Sequence, residues 1–204
     1  MNKKIIKIDV DGVLRDMLSA MCGVYNAVYN DNIQPCDVKD YDVDVSFPKC
    51  KEKDGISAKY FFFNEYGYEV YNCADVLPKA KEAMDILHNL GYYIVIVSHQ
   101  ESYLNRHDTL LWLDSKNIYY DSICFTKDKS IIKGDIMVDD CVENLKQCDN
   151  NEEELICITA SYNENDNFFK KYNLRDCCHN IKSTDICIMG SKRRTEEEMC
   201  RKLI

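Results

Sequence analysis

The chain has 204 residues, of which 46% are hydrophobic and 30% are charged, and its formal net charge is −9 at pH 7. This length favours one compact α/β domain with a smaller inserted segment, and no stretch approaches the ~20 apolar residues of a membrane helix. The negative charge opposes binding along a nucleic-acid polymer, which depends on Lys and Arg. We therefore expect a soluble protein with small ligands and neither a polymer nor a membrane as partner.

The cysteine pattern favours reduced thiols. Twelve cysteines are scattered along the chain, including the adjacent Cys177 and Cys178, and no C-x-x-C pair occurs. A chain of this length folds without disulfide staples, and its histidines are not grouped with cysteines as zinc sites require. The N-terminus carries no export signal. A cytoplasmic location is therefore expected, and a cysteine-based redox protein is disfavoured.

Short β-branched runs alternate with stretches of helical spacing, which predicts a mainly parallel sheet with helical crossovers. The predicted strands cover residues 5–10, 92–97, 122–125, 136–138 and 155–159. One helix is predicted over residues 78–90, ending before Gly91, and a second over residues 103–116, ending at Asn117.

Residues 17–74 break this rhythm and predict an inserted cap over the carboxyl ends of the strands, where ligands bind. The segment begins with a helical pattern, continues with acidic alternation over residues 41–45, and contains the aromatic run 60–63. These aromatics could stack on a base, although packing of the cap is favoured because consecutive helical residues cannot share one face. We assign residues 1–16 and 75–180 to the core and 181–204 to a C-terminal tail.

Two carboxylates, Asp9 and Asp11, follow the first predicted strand and precede Gly12. One aspartate can attack phosphorus while a second protonates the departing oxygen, because one group cannot do both in a single turnover. The alternative is that both acids cap a turn.

A second acidic pair, Asp139 and Asp140, follows the predicted strand over residues 136–138. Four carboxylates in one crevice require a cation, and all-oxygen ligands beside a phosphate favour Mg²⁺. Alternatively, one of the pair caps the next helix while the other binds the metal.

Two further polar residues occupy related positions. Ser98 ends the run 92–97, and Lys129 lies between the third and fourth predicted strands. A hydroxyl and an ammonium at strand ends can hold phosphoryl oxygens, although each residue type is more often an ordinary surface residue.

Taken in order, these residues resemble the four signature motifs of the haloacid dehalogenase-like superfamily, over roughly residues 5–159. The resemblance to the 5'(3')-deoxyribonucleotidase family is carried by Lys129-Ser130, Gly134-Asp135-Ile136-Met137-Val138-Asp139-Asp140, residues 155–160 and Tyr162-Asn163.

This resemblance implies a Rossmann-like parallel core with a small, mainly helical cap inserted after the first motif. It implies an Mg²⁺-dependent phosphatase in which Asp9 is nucleophile and metal ligand, and Asp11 is acid/base and offers its backbone carbonyl to the metal. It further implies that Asp140 completes the protein ligands and that Ser98 and Lys129 bind phosphate.

The implied substrate is a small phosphorylated molecule, preferably a deoxyribonucleoside monophosphate, and the chain is compatible with a homodimer. A phosphatase for a sugar phosphate or another metabolite remains an alternative, as does a noncatalytic phospho-ligand-binding module. Asp139 is expected to orient the site.

Two places in the chain depart from or extend the family pattern. The sequence Val97-Ser98-His99-Gln100 stands where family members often have a Thr-Ser-Pro-like sequence. His99 is expected to be structural more often than substrate-binding. Arg15 follows the first motif, and surface pairing with Asp16 is expected to be its role rather than contact with phosphate.

Overall fold

The computed structural model describes residues 3–149, 152–169 and 171–172. The tail predicted over residues 181–204 lies outside these residues. Within the described ranges, each helix is too short or too polar to cross a bilayer.

A parallel sheet forms the centre of the molecule. Its strands are β1 (Ile5–Ile8), β2 (Tyr93–Ser98), β3 (Ser122–Phe125), β4 (Ile136–Asp139), β5 (Glu154–Ile158) and β6 (Lys171–Tyr172). The order is β3-β2-β1-β4-β5-β6, with every neighbouring pair parallel. The predicted five-strand core is therefore confirmed. The additional strand β6 is too short to give a periodic signal in sequence.

A helical cap region lies between β1 and β2, as predicted. Its helices are α1 (Met17–Tyr29), α2 (Val43–Ser46), α3 (Lys49–Asp54), α4 (Ala58–Tyr60) and α5 (Gly67–Asn72), with a 3-10 turn at Pro35–Asp37 and a π-helical turn at Phe61–Glu65. The acidic alternation contributes to α2, because the Asp42 carboxylate accepts a hydrogen bond from the Asp44 amide and caps the helix. The cap has its own hydrophobic cluster, which includes Met17, Met21, Tyr25, Phe47, Phe61 and Phe62.

Three helices pack on the sheet: α6 (Ala80–Asn89), α7 (Tyr103–Ser115) and α8 (Val142–Cys148). Helix α6 begins two residues later than predicted because Lys79 has a φ of 69°, which is outside the helical region. Gly91 and Asn117 follow the helices with φ values of 85° and 51°, as expected for left-handed stop residues. The main core cluster joins α6 and α7 to the apolar face of β1 and its neighbours.

The two connections between core and cap run side by side. The Asp16 amide donates to the Asp75 carbonyl at 2.9 Å, and the Leu77 amide donates to the Leu14 carbonyl at 2.8 Å. The cap is therefore joined to the core through a short paired ribbon that begins directly after Gly12.

Candidate active site

The adjacent carboxyl ends of β1 and β4 bring three aspartates together. The Asp9 amide donates to the Val138 carbonyl at 3.0 Å, which places Asp9 beside Asp139 and Asp140. One carboxylate oxygen from each aspartate lies within 4.8 Å of the others, and all three residues are buried. Burial without enough neighbouring positive charge makes this cluster suited to a hard divalent cation.

Lys129 is the cation nearest to the cluster among the described residues. Its ammonium lies 3.0 Å from Asp9 Oδ1 and 2.6 Å from Asp139 Oδ2. Lys129 begins a 3-10 turn after β3 and is 1% exposed, so it is not an ordinary surface lysine. Burial opposes its charge, but the carboxylates of Asp9 and Asp139 raise the pKa of Lys129 above its ordinary value.

The electrostatic environment of the aspartate cluster favours either protonation of its carboxylates or binding of a metal ion. Burial raises the pKa of Asp9 to about 7, with Lys129 opposing the shift and the charges of Asp139 and Asp11 adding to it. Burial also raises the pKa of Asp140 well above its ordinary value, assisted by Asp139 and Asp9. Ionising all three carboxylates therefore requires more positive charge than one lysine supplies.

The two adjacent aspartates have different surroundings. Asp139 Oδ1 accepts from the Cys141 amide at 2.8 Å and from Asn144 Nδ2 at 3.3 Å, at the start of α8, while its other oxygen bonds to Lys129. Asp140 lines the cavity and accepts a hydrogen bond from the Tyr162 hydroxyl. Asp139 is thus engaged by the protein on both oxygens, and Asp140 faces the ligand space.

Gly12 is required by the close approach of the first motif to Asp140. It has a φ of 73°, and a Cβ at this position would overlap the Asp140 carboxylate. The glycine that the sequence assigned to a tight turn therefore also allows β1 and β4 to share one site.

The Asp11 carboxylate points to a different set of partners. Its Oδ1 lies 2.6 Å from Arg15 Nη2, and its Oδ2 accepts from Gln100 Nε2 at 2.8 Å. Arg15 is fully buried, so the expected surface pairing with Asp16 is wrong. Asp16 instead caps α1 by accepting from the Ser19 amide.

Ser98 is the last residue of β2 and is 1% exposed. Its hydroxyl accepts from Gln100 Nε2 at 3.1 Å, and it lines the same cavity as Lys129 and Asp9. His99 also lines this cavity but is exposed, and burial of part of its ring lowers its pKa.

The cavity lies between the aspartate cluster and the cap and has a volume of about 460 Å³, within the range of small-molecule sites. Its cap wall is mainly apolar and includes Met17, Leu18, Met21, Val38, Tyr41, Phe63 and Tyr71. Within the aromatic run, Phe61 and Phe62 are buried in the cap cluster, and Tyr60 is 49% exposed. Phe63 is the member that lines the cavity among these four described residues.

Lys7, in the central strand β1, supports the turn that carries Lys129 and was missed by sequence analysis. Its ammonium donates to the carbonyls of Lys129 at 3.1 Å and Ile132 at 2.7 Å and pairs with Glu153 at 2.8 Å. The signal was present, because Lys7 interrupts an apolar strand and shares a strand face with Asp9.

Solved structures with a similar fold include a predicted phosphatase and a haloacid dehalogenase-like hydrolase. A predicted phosphatase from Clostridium acetobutylicum matches with a TM-score of 0.62 at 13% identity, covering 89% of this chain and 100% of the other. A haloacid dehalogenase-like hydrolase from Streptococcus pneumoniae matches with a TM-score of 0.61 at 14% identity, covering 88% and 98%. At this identity the similarity establishes the fold, and the chain has a haloacid dehalogenase-like fold.

Comparison of the sequence with family models assigns the chain to one family within this fold. The model of the family described as "5' nucleotidase, deoxy (Pyrimidine), cytosolic type C protein" matches residues 3–193, and the chain belongs to this family. It is also similar to the 5'(3')-deoxyribonucleotidase of Clostridium acetobutylicum, with 29% identity over 192 residues that cover 89% of this chain and 98% of the relative. The 5'(3')-deoxyribonucleotidase of Bacillus subtilis is 24% identical over 172 residues, covering 82% and 91%.

Proposed function

We propose that this protein hydrolyses deoxyribonucleoside monophosphates through an aspartyl-phosphate intermediate and requires Mg²⁺. The observation that carries the proposal is the buried cluster of Asp9, Asp139 and Asp140, with Lys129 beside it, at one wall of a cavity whose cap wall is mainly apolar. Membership in the nucleotidase family supports the substrate class.

The donor set fits Mg²⁺. Asp9 and Asp140 would bind the ion through carboxylate oxygens and Asp11 through its backbone carbonyl. The Asp11 carboxylate, which Arg15 and Gln100 hold in place, would instead serve proton transfer. When bound, Mg²⁺ neutralises the clustered charge and polarises a phosphoryl oxygen. Asp139 would orient the site through its bonds to Lys129 and the start of α8.

The proposed reaction has two steps. In the first, Asp9 attacks phosphorus, an Asp9–phosphorus bond forms, the ester P–O bond breaks, and Asp11 gives a proton to the departing nucleoside oxygen. In the second, Asp11 takes a proton from water, the water oxygen bonds to phosphorus, and the bond between the Asp9 carboxylate oxygen and phosphorus breaks, which releases inorganic phosphate and free Asp9. Lys129 and Ser98 would hold the phosphoryl oxygens in both steps.

We propose that the base lies against Phe63 and Tyr71. Both side chains line the cavity, and their ring centroids are 5.9 Å apart. The Phe63 backbone is fixed because its carbonyl accepts from Asn105 Nδ2 on α7 at 3.1 Å. An aromatic wall in the same cavity as Ser98 and Lys129 favours a planar base over a sugar phosphate.

Two less specific assignments belong to the same proposal. Residues 17–74 are assigned to the cap and residues 1–16 and 75–180 to the core, supported in the described part by separate hydrophobic clusters. A cytosolic location is supported by the family description and by the eight free cysteines among the described residues.

The test is phosphate release from a panel of deoxyribonucleoside monophosphates, ribonucleoside monophosphates and sugar phosphates, with Mg²⁺ or EDTA. We expect Mg²⁺-dependent release that prefers deoxyribonucleotides and is abolished in Asp9→Asn. Wild-type activity no greater than that of Asp9→Asn across the panel would reject the proposed catalytic role. Preference for a sugar phosphate would reject deoxyribonucleoside monophosphates as the substrate class.

A further inference from the structure

Both oxygens of the Asp11 carboxylate are held by buried side chains. Arg15 Nε and Nη2 lie 2.7 and 2.6 Å from Oδ1, and Gln100 Nε2 lies 2.8 Å from Oδ2. Arg15 is 0% exposed and Gln100 is 2% exposed, whereas the Asp11 side chain is 27% exposed and lines the cavity. The carboxylate therefore faces the cavity in one orientation, which the buried side chains of Arg15 and Gln100 determine.

Arg15 is itself fixed by the core and the cap together. Its Nη2 donates to the Thr109 hydroxyl on α7 at 3.1 Å, and its Nη1 donates to the Tyr71 carbonyl on α5 at 3.3 Å. The guanidinium carbon lies 4.6 Å from the centre of the Tyr71 ring and 5.2 Å from that of Trp112. A buried guanidinium with this many partners has little freedom to take another rotamer.

Burial of Arg15 also explains why it forms an ion pair with Asp11. An unpaired buried charge is costly, and Asp11 supplies the matching carboxylate four residues earlier in the chain. The neighbouring Gln100 completes the arrangement by bonding to Asp11 and to Ser98, which links the acid to the proposed phosphate-binding hydroxyl.

We infer that Arg15 and Gln100 are positioning residues that hold the Asp11 carboxylate for proton transfer, and that cap helix α5 contributes to this positioning through Arg15. This inference rests on the proposed role of Asp11 as acid and base. Proton transfer is sensitive to small displacements, because donor and acceptor must lie within hydrogen-bond reach.

The dependence of the rate on the leaving group distinguishes positioning of the Asp11 carboxylate from a general effect on the structure. A nucleoside alkoxide must receive a proton as it departs, whereas p-nitrophenolate departs without one. The experiment compares kcat/KM for a deoxyribonucleoside monophosphate and for p-nitrophenyl phosphate, because kcat/KM reports the step in which the leaving group departs. The Asp11→Asn variant sets the scale of the effect.

We expect Arg15→Met and Gln100→Met to lower kcat/KM for the nucleotide roughly 10-fold more than for p-nitrophenyl phosphate, within the span of general acid catalysis. Thr109→Val removes one bond to Arg15 and should shift the ratio by about 3-fold in the same direction, while Thr109→Ser keeps the hydroxyl and should leave it unchanged. Circular dichroism establishes whether each variant is folded.

The outcomes distinguish the two proposals. An unchanged substrate ratio in Asp11→Asn would reject the role of Asp11 itself. The positioning inference alone would be overturned if Asp11→Asn changes the ratio of the two kcat/KM values but Gln100→Met and Thr109→Val do not. These two variants would then show either equal losses on both substrates or no loss. The milder Thr109→Val variant gives this answer even where Arg15→Met does not fold.

Discussion

The ammonium of Lys129 lies 3.0 Å from Oδ1 of Asp9, and both side chains are buried at the junction of β1 and β4. This pairing places a fixed positive charge against the proposed nucleophile, where negative charge gathers as phosphate is transferred. Lys129 also bonds to Asp139, so one lysine connects the proposed nucleophile with the start of α8.

Replacing Lys129 by methionine should lower kcat for nucleotide hydrolysis by about 100-fold to 1,000-fold, as for loss of one transition-state donor. The measurement is steady-state phosphate release at saturating Mg²⁺. Lys127 also lines the cavity but is exposed, and Lys127→Met is the matched control with an expected change of about 3-fold or less. Equal losses in the two variants would contradict the assigned role of Lys129.

Tyr162 should support metal binding through Asp140. Its hydroxyl donates to the Asp140 carboxylate, and its ring meets Tyr41 edge to face at 5.6 Å. Because groups that orient a ligand affect affinity, Tyr162→Phe should weaken Mg²⁺ binding by roughly 10-fold. Isothermal titration with Mg²⁺ gives this value directly. Tyr41→Phe keeps the ring contact and should change the affinity little, so equal effects in both variants would argue against the role of Tyr162.

Stability without metal should depend on pH through Asp9. Its pKa is raised from 3.8 to about 7 on folding. The folded state therefore binds more protons between these values, and the stability contributed by protonated Asp9 is lost as pH rises through about 7. In EDTA, the melting temperature of wild type should fall over this range more than that of Asp9→Asn. Parallel melting curves for the two proteins would contradict the assignment.

Lys7→Met should destabilise the protein by about 3 to 5 kcal/mol, because it leaves Glu153 buried without its partner. Urea unfolding measures this change in the free energy of unfolding. The double variant Lys7→Met with Glu153→Gln removes both charges and should recover part of the loss. A double variant less stable than Lys7→Met would show that the unpaired Glu153 charge is not the cause.

Phe63→Ala should raise KM for a deoxyribonucleoside monophosphate by about 10-fold, the scale of one lost base-stacking contact. Tyr60→Ala is the control, since Tyr60 lies in the same aromatic run but is 49% exposed and outside the cavity lining. An unchanged KM in Phe63→Ala would exclude this residue from base binding and favour another wall of the cavity.

Sequence patterns predicted the elements whose signals are local. The core strands follow from apolar runs, and Asp9, Ser98 and Asp140 could be located because parallel strands deliver their carboxyl ends to one edge. Gly91 and Asn117 marked helix ends through the conformations these residues tolerate. The strands and helix ends depend on residues close together in the chain, and the meeting of the three site residues follows from the parallel arrangement of those strands.

The remaining features depend on contacts between distant segments. Arg15 precedes Asp16 and the start of α1, which locally favours a surface pair, yet its partners Thr109 and Tyr71 lie 94 and 56 residues away. Their combined burial of the guanidinium outweighs the local preference. The late start of α6 arises from the left-handed conformation of Lys79, which no local residue pattern indicates.

The proposed mechanism is tested most sharply by trapping phosphate on Asp9. With p-nitrophenyl phosphate and Mg²⁺, Asp11→Asn should form the phosphoryl-enzyme and hydrolyse it slowly, because the base for the second step is missing. We predict a burst of p-nitrophenol equal to the enzyme concentration, with the phosphoryl group found on the Asp9 peptide by mass spectrometry. Turnover with no burst, or phosphate on another residue, would contradict the proposed mechanism.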